Sequence, residues 1–100
     1  MRKLLVRPQA RVGLLEIWHH IAPENLAAAN GVGEAFESAI LDLSAMPGMG
    51  HVRPDVKDGH YRFWRVYSYV IAYRYDATMI TVLRVVHGRR DFRRLFPGDR

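Results

Sequence analysis

The chain has no cysteine, which removes disulfides, a thiolate nucleophile and any cysteine-ligated zinc. It also has no uninterrupted apolar run of membrane-spanning length. The apolar core of the opening segment, MRKLLVRPQARVG, is too short for a secretory signal. These absences point to a soluble, cytoplasmic protein without a membrane partner. No HExxH pattern, paired-carboxylate motif or phosphate-cradling glycine loop is present, because GVGEAF lies inside a helical pattern. His19 and His20 are adjacent on a helix and diverge, and His51 is isolated, so neither a metal site nor a cofactor is expected.

Acidic residues are scarce, ten against fifteen Lys and Arg, leaving a net charge of +5. The natural partner of such a surface is a polyanion or an acidic protein. The imbalance is greatest at the C-terminus, where Arg89, Arg90, Arg93, Arg94 and Arg100 face only Asp91 and Asp99. With 49% hydrophobic residues the chain can nonetheless build a core, and 100 residues form a single domain, 1–100.

The order of elements follows from periodicity. KLLV reads as a short strand ended at Pro8. Leu14, Ile17, Trp18 and Ile21 then recur at helical spacing, and Pro23 forces a turn around residues 22 to 25. A second helical face is formed by Ala29, Val32, Phe36, Ala39, Ile40, Leu43 and Met46, weakened by Gly31 and Gly33 and stopped by PGMG. Beyond the polar loop HVRPDVKDG, the runs HYRFWRVY, YVIAYRYD and MITVLRVV read as three consecutive antiparallel strands. The fold class is therefore α+β, in the order β-α-α-β-β-β. An antiparallel helical hairpin covers one face of an antiparallel sheet, and a basic tail follows.

The stretch RVVHGRRDFRRLF concentrates the chemistry. In one reading its arginines are a solvated face while Phe92 and Phe96 tuck against the sheet. In the other they form a patch that pairs with carboxylates or phosphates through the guanidinium fork. His87, at a strand end, either satisfies backbone groups or serves as a base. Trp18 and Phe36 read as hairpin packing, whereas Trp64 is divided between packing and a partner contact on the uncovered sheet face. Arg62 and Arg84 either meet a partner or pair with an acid such as Asp55 or Asp58.

Taken together, LLEIWHHIAPEN, the long second helix ended by MPGMG, GHYRFWRVYSYVIAYRY and VLRVVHGRRDFRRLF resemble the RelE/ParE superfamily of type II toxins, over nearly the whole chain. Gly59 with Arg62, Tyr69 with Tyr73, and Arg84 leading to His87 are more similar to the ParE branch. The resemblance implies a cognate antitoxin that wraps the toxin, DNA gyrase as target, and contact with operator DNA only through the antitoxin. The antitoxin's C-terminal segment would fold on the sheet and along the hairpin groove, or add a strand to an exposed edge. Arg62, Trp64, Arg84, His87, Arg89, Arg90 and Arg93 are the expected binding residues. The alternative is a RelE-like, ribosome-dependent endoribonuclease. His87, His60 or Asp91 would then act in acid–base chemistry, with Arg62 and Arg84 on the phosphate. RelE-like nucleases usually carry a tyrosine in the C-terminal segment, and here the last tyrosine is Tyr75.

Overall fold

The structure, a computed structural model, describes residues 2–96; Asp99 and Arg100 lie outside the described residues. The element order is β1 (Lys3–Val6), α1 (Pro8–Ile21), α2 (Leu26–Ala45), a 3-10 turn (Pro47–Met49), β2 (Arg62–Val66), β3 (Tyr69–Tyr75), β4 (Met79–His87) and α3 (Phe92–Leu95). This is the expected α+β order. Pro8 both ends the strand and begins the helix, since proline's fixed φ and missing N–H suit the first helical position. Asn25 caps α2, its Oδ1 accepting from Ala28 N–H at 2.9 Å.

The sheet runs β1-β4-β3-β2. β2, β3 and β4 form the antiparallel meander, but β1 pairs parallel with β4, Lys3 opposite Met79 and Val6 opposite Val82, so the sheet is mixed and not wholly antiparallel. The reason is that α1 and α2 intervene between β1 and the meander and return the chain to the same end of the sheet. Past Val82 the outer edge of β4 has no strand neighbour among the described residues, and α1 crosses there instead.

Gly13 makes that crossing close: a β-carbon in its place would collide with the carbonyl oxygen of Val85. Ala10, Gly13 and Ile17 are therefore the buried face of α1, and Leu14, Trp18 and Ile21 are only half-buried. The periodic face read from the sequence is thus rotated slightly outward. On α2 the expected positions from Ala29 to Leu43 do turn inward, whereas Met46 points out at the helix end.

A register shift between Ala72 and Tyr73 fixes how β4 presents its side chains. Tyr73 pairs with Val82 and Ala72 with Arg84, so Leu83 is an extra residue. Ile80 and Val82 face the helices before it, and Val85 does so after it. Val86 joins the opposite face. Such a bulge re-aims everything downstream.

That opposite face is not open. Phe92 and Phe96, with Val56 from the 51–61 segment, pack over Phe63, Val70, Ala72 and Val86. The basic tail accordingly contains a short helix whose phenylalanines dock on the sheet while Arg93 and Arg94 stay exposed. Among the described residues, no helix is long and apolar enough to cross a membrane.

Candidate functional site

Three of the residues singled out from the sequence converge. Arg84, His87 and Arg90 line a cleft of about 750 Å³ between α1 and the free edge of β4. Tyr69, Gln9, His20 and Glu16 complete its polar lining, and Glu16 is its only carboxylate among the described residues. His87 is held edge-on to Tyr69, ring centroids 5.5 Å apart. Its Nδ1 accepts the Arg89 backbone N–H at 3.1 Å. Nδ1 thus serves the turn as an acceptor, the backbone-satisfying role open to a histidine at a strand end. The turn is closed by Arg90 N–H donating to the His87 carbonyl at 3.0 Å, which leaves the Arg89 and Arg90 side chains exposed.

The other candidates lie elsewhere. Arg62 is on β2, level with Tyr73 and Val82. His87 is level with Tyr69 and Val66, so the two sites are separated by ~13 Å along the sheet at about 3.3 Å per residue. Arg62 Nη1 donates to the Gly50 carbonyl at 3.0 Å, and its guanidinium lies 5.8 Å from the Tyr75 ring. It fixes the loop, but through a carbonyl and not through the acids expected from sequence. Asp55 is held instead by Arg53, two bonds at 2.9 Å, which lowers its pKa below the ordinary 3.8. Asp58 accepts from the His60 backbone N–H and meets its ring Nδ1, both at 2.9 Å, which also lowers its pKa. His60 is thereby committed far from His87.

Trp64 turns toward the helical hairpin, stacked on His51 with centroids 6.0 Å apart, and not toward the second sheet face. Asp91 caps α3, its Oδ1 accepting from Arg93 N–H at 3.1 Å. Arg93 borders Asp55, Lys57 and Phe96, away from the cleft. Among the described residues no group of three or more His, Cys, Asp or Glu could hold a metal.

A second concavity, apolar and about 390 Å³, runs between α1 and α2. Leu14, Leu15, Trp18, Val32 and Leu41 line it, with Leu4 of β1 at one end. Leu15 and Leu41 are each more than half exposed. Trp18 is anchored across the hairpin, its Nε1–H donating to Asn30 Oδ1 at 3.0 Å. Sequence periodicity assigned Leu14 and Trp18 to the core and passed over Leu15 and Leu41. The available signal was the width of the apolar stripe, which on both helices exceeds what one buried face consumes.

Tyr67 was also passed over. It sits at the β2–β3 turn with φ 56°, the only non-glycine residue of positive φ among those described.

Comparison with known proteins bears on this arrangement. The family model described as the ParE toxin of the type II toxin–antitoxin system parDE matches residues 4–92. The chain superposes on a chain of the chromosomal ParDE toxin–antitoxin system from P. aeruginosa with a TM-score of 0.73 and 18% identity, covering 87% of this chain and 96% of that one. It superposes on a chain of the RelBE2 toxin–antitoxin complex from Mycobacterium tuberculosis with a TM-score of 0.56 and 28% identity, covering 86% and 96%. No curated protein matches by sequence.

Proposed function

Because the chain belongs to the ParE toxin family of type II toxin–antitoxin systems, we propose that it arrests growth by binding a macromolecular target, DNA gyrase, and not by chemistry of its own. The observation that carries this reading is the dispersal of the acid–base candidates. Cleavage of RNA through a 2′-hydroxyl needs a base, a cation on the phosphate and an acid within reach of one another. Here His87 is the one acid–base candidate that lines the arginine-bearing cleft, since His60, beside Asp58, lies just before the start of β2 at the other end of the sheet and Asp91 caps α3. The arginines of the cleft suit binding of carboxylates without any such machinery.

Neutralisation is assigned to a cognate antitoxin whose segment folds into the α1–α2 groove. An apolar groove bordered by Arg11 on a chain of net charge +5 suits an amphipathic segment with apolar anchors and acidic flanks. The second sheet face is already filled by Phe92 and Phe96, so the groove is the larger apolar surface left to cover.

The test is to express the chain alone and assay arrested cells in parallel for gyrase-linked DNA breaks and for messages cut within codons. Breaks with intact messages are expected. Cut messages without breaks would establish the RelE-like ribonuclease instead, which the similarity to a RelBE2 complex makes the alternative to exclude.

A further inference from the structure

The β2–β3 turn presents an aromatic ring where the backbone disfavours one. Val66 pairs with Tyr69, so Tyr67 and Ser68 alone make the turn. Tight hairpin turns of this kind ordinarily place Gly, Asn or Asp at positive φ. Tyr67 instead holds φ 56° and is 66% exposed, so burial of its ring does not compensate the conformation. A residue kept in such a region against its preference points to a use outside the fold.

The turn is locked in that form. Arg65 Nε donates to the Tyr67 carbonyl at 2.9 Å. The Ser68 carbonyl accepts Gly88 N–H at 2.8 Å, which joins the hairpin tip to the turn bearing Arg89 and Arg90. All three arginines are exposed, and none forms an ion pair among the described residues, where Arg53–Asp55 and His60–Asp58 are the two pairs present. The cleft lined by Arg84, His87 and Arg90 opens beside them. None of these residues lines the α1–α2 groove.

We propose that this end of the sheet, Tyr67 with Arg65, Arg89 and Arg90, is the surface that engages the target, and that the target offers it an acidic protein surface with a recess for the tyrosine ring. The proposal rests on the binding reading above and adds its location and chemistry. Tyrosine and arginine are the side chains that dominate protein–protein contacts, and a rigid, convex tip with one ring suits insertion into a protein recess. Single-stranded nucleic acid is held differently, by a cationic groove with successive stacking platforms.

The experiment uses the full chain and the variants Tyr67→Gly and R89A/R90A. Tyr67→Gly removes the ring and relaxes the turn together, so its unfolding midpoint should be unchanged or higher. Its affinity for the cognate antitoxin should match wild type, while the inducer needed for growth arrest rises about tenfold or more. R89A/R90A should lose arrest and gyrase binding comparably, by a factor that shrinks as salt rises. Arrest by Tyr67→Gly at the wild-type inducer level overturns the surface. So does a matched loss of stability or antitoxin binding, which would make the turn structural. Wild-type retention of duplex DNA that both variants lose would overturn the acidic-protein partner. If the wild type arrests growth without binding purified gyrase while both variants are silent, the gyrase reading falls and the surface stands. A wild-type chain that arrests nothing overturns both.

Discussion

The Cα of Gly13 packs against the carbonyl of Val85 so closely that a methyl group there would overlap the oxygen. A carbonyl in the middle of β4 cannot move aside without disturbing the β3–β4 ladder. Gly13→Ala should therefore destabilise the protein by about 2 kcal/mol or more, despite the roughly 1 kcal/mol that alanine offers a helix interior. Gly31 is the control, since nothing lies within 4 Å of its β-carbon position. Gly31→Ala should stabilise by about 0.5–1 kcal/mol. Opposite shifts in urea midpoint check both.

Tyr73 is fully buried, and its hydroxyl donates to the Pro47 carbonyl at 2.6 Å while accepting Gly50 N–H at 2.9 Å. One side chain thus closes the passage from α2 to the loop before β2. Tyr73→Phe leaves both backbone groups without that partner and should cost about 1–3 kcal/mol. Burial raises the Tyr73 pKa above the ordinary 10.0. Below pH 10 the group is neutral in both states; above it the unfolded chain ionises first, so stability is lost as pH rises from there through the folded pKa. The difference in stability between wild type and Tyr73→Phe should narrow over that alkaline range.

If the antitoxin fills the hairpin groove as proposed, its half-exposed leucines should separate neutralisation from toxicity. Burying the exposed half of Leu15 under a partner is worth about 1 kcal/mol, and a carboxylate there adds a desolvation cost of about 1–3 kcal/mol. Leu15→Glu or Leu41→Glu should weaken antitoxin binding about 30-fold or more, leaving arrest by the free toxin as in wild type. Titration calorimetry and co-expression rescue read the two properties independently.

Much of this architecture was legible because local and tertiary preferences agree. The α2 face from Ala29 to Leu43 and the three strands of the meander fall where period 3.6 and period 2 place them. Three features were hidden for a common reason, in that each depends on a partner distant in sequence. Strict alternation along MITVLRVVH would put Arg84 and Val86 with Ile80 and Val82, but the extra Leu83 reverses the faces, and that is settled by pairing with β3. The parallel seat of β1 depends on the path through both helices. Tyr67 is an ordinary strand residue by composition, and only a two-residue turn makes it a tip of positive φ. The cleft inherits this: Arg84, His87 and Arg90 were readable as candidates, while Tyr69 enters through its pairing with His87, and His20 and Gln9 through the packing of α1 against β4.

The docked tail makes a final prediction. Phe92 is 1% exposed, edge-on to Phe63 at 5.5 Å, with the Arg53 guanidinium 3.8 Å from its ring centroid. Phe92→Ala should cost about 3 kcal/mol or more and raise hydrogen exchange along β2 and β3, whose second face it covers. Arg53→Ala should cost less, about 1 kcal/mol, the scale of a part-exposed cation–π contact. Arg53 also lowers the Asp55 pKa from 3.8, so this pair contributes stability above that pH and loses it as pH falls through the folded value. Arg53→Ala should flatten the acid limb of the stability profile where Phe92→Ala leaves it steep. Equal flattening in both would mean that the phenylalanine, by seating the loop, positions the ion pair.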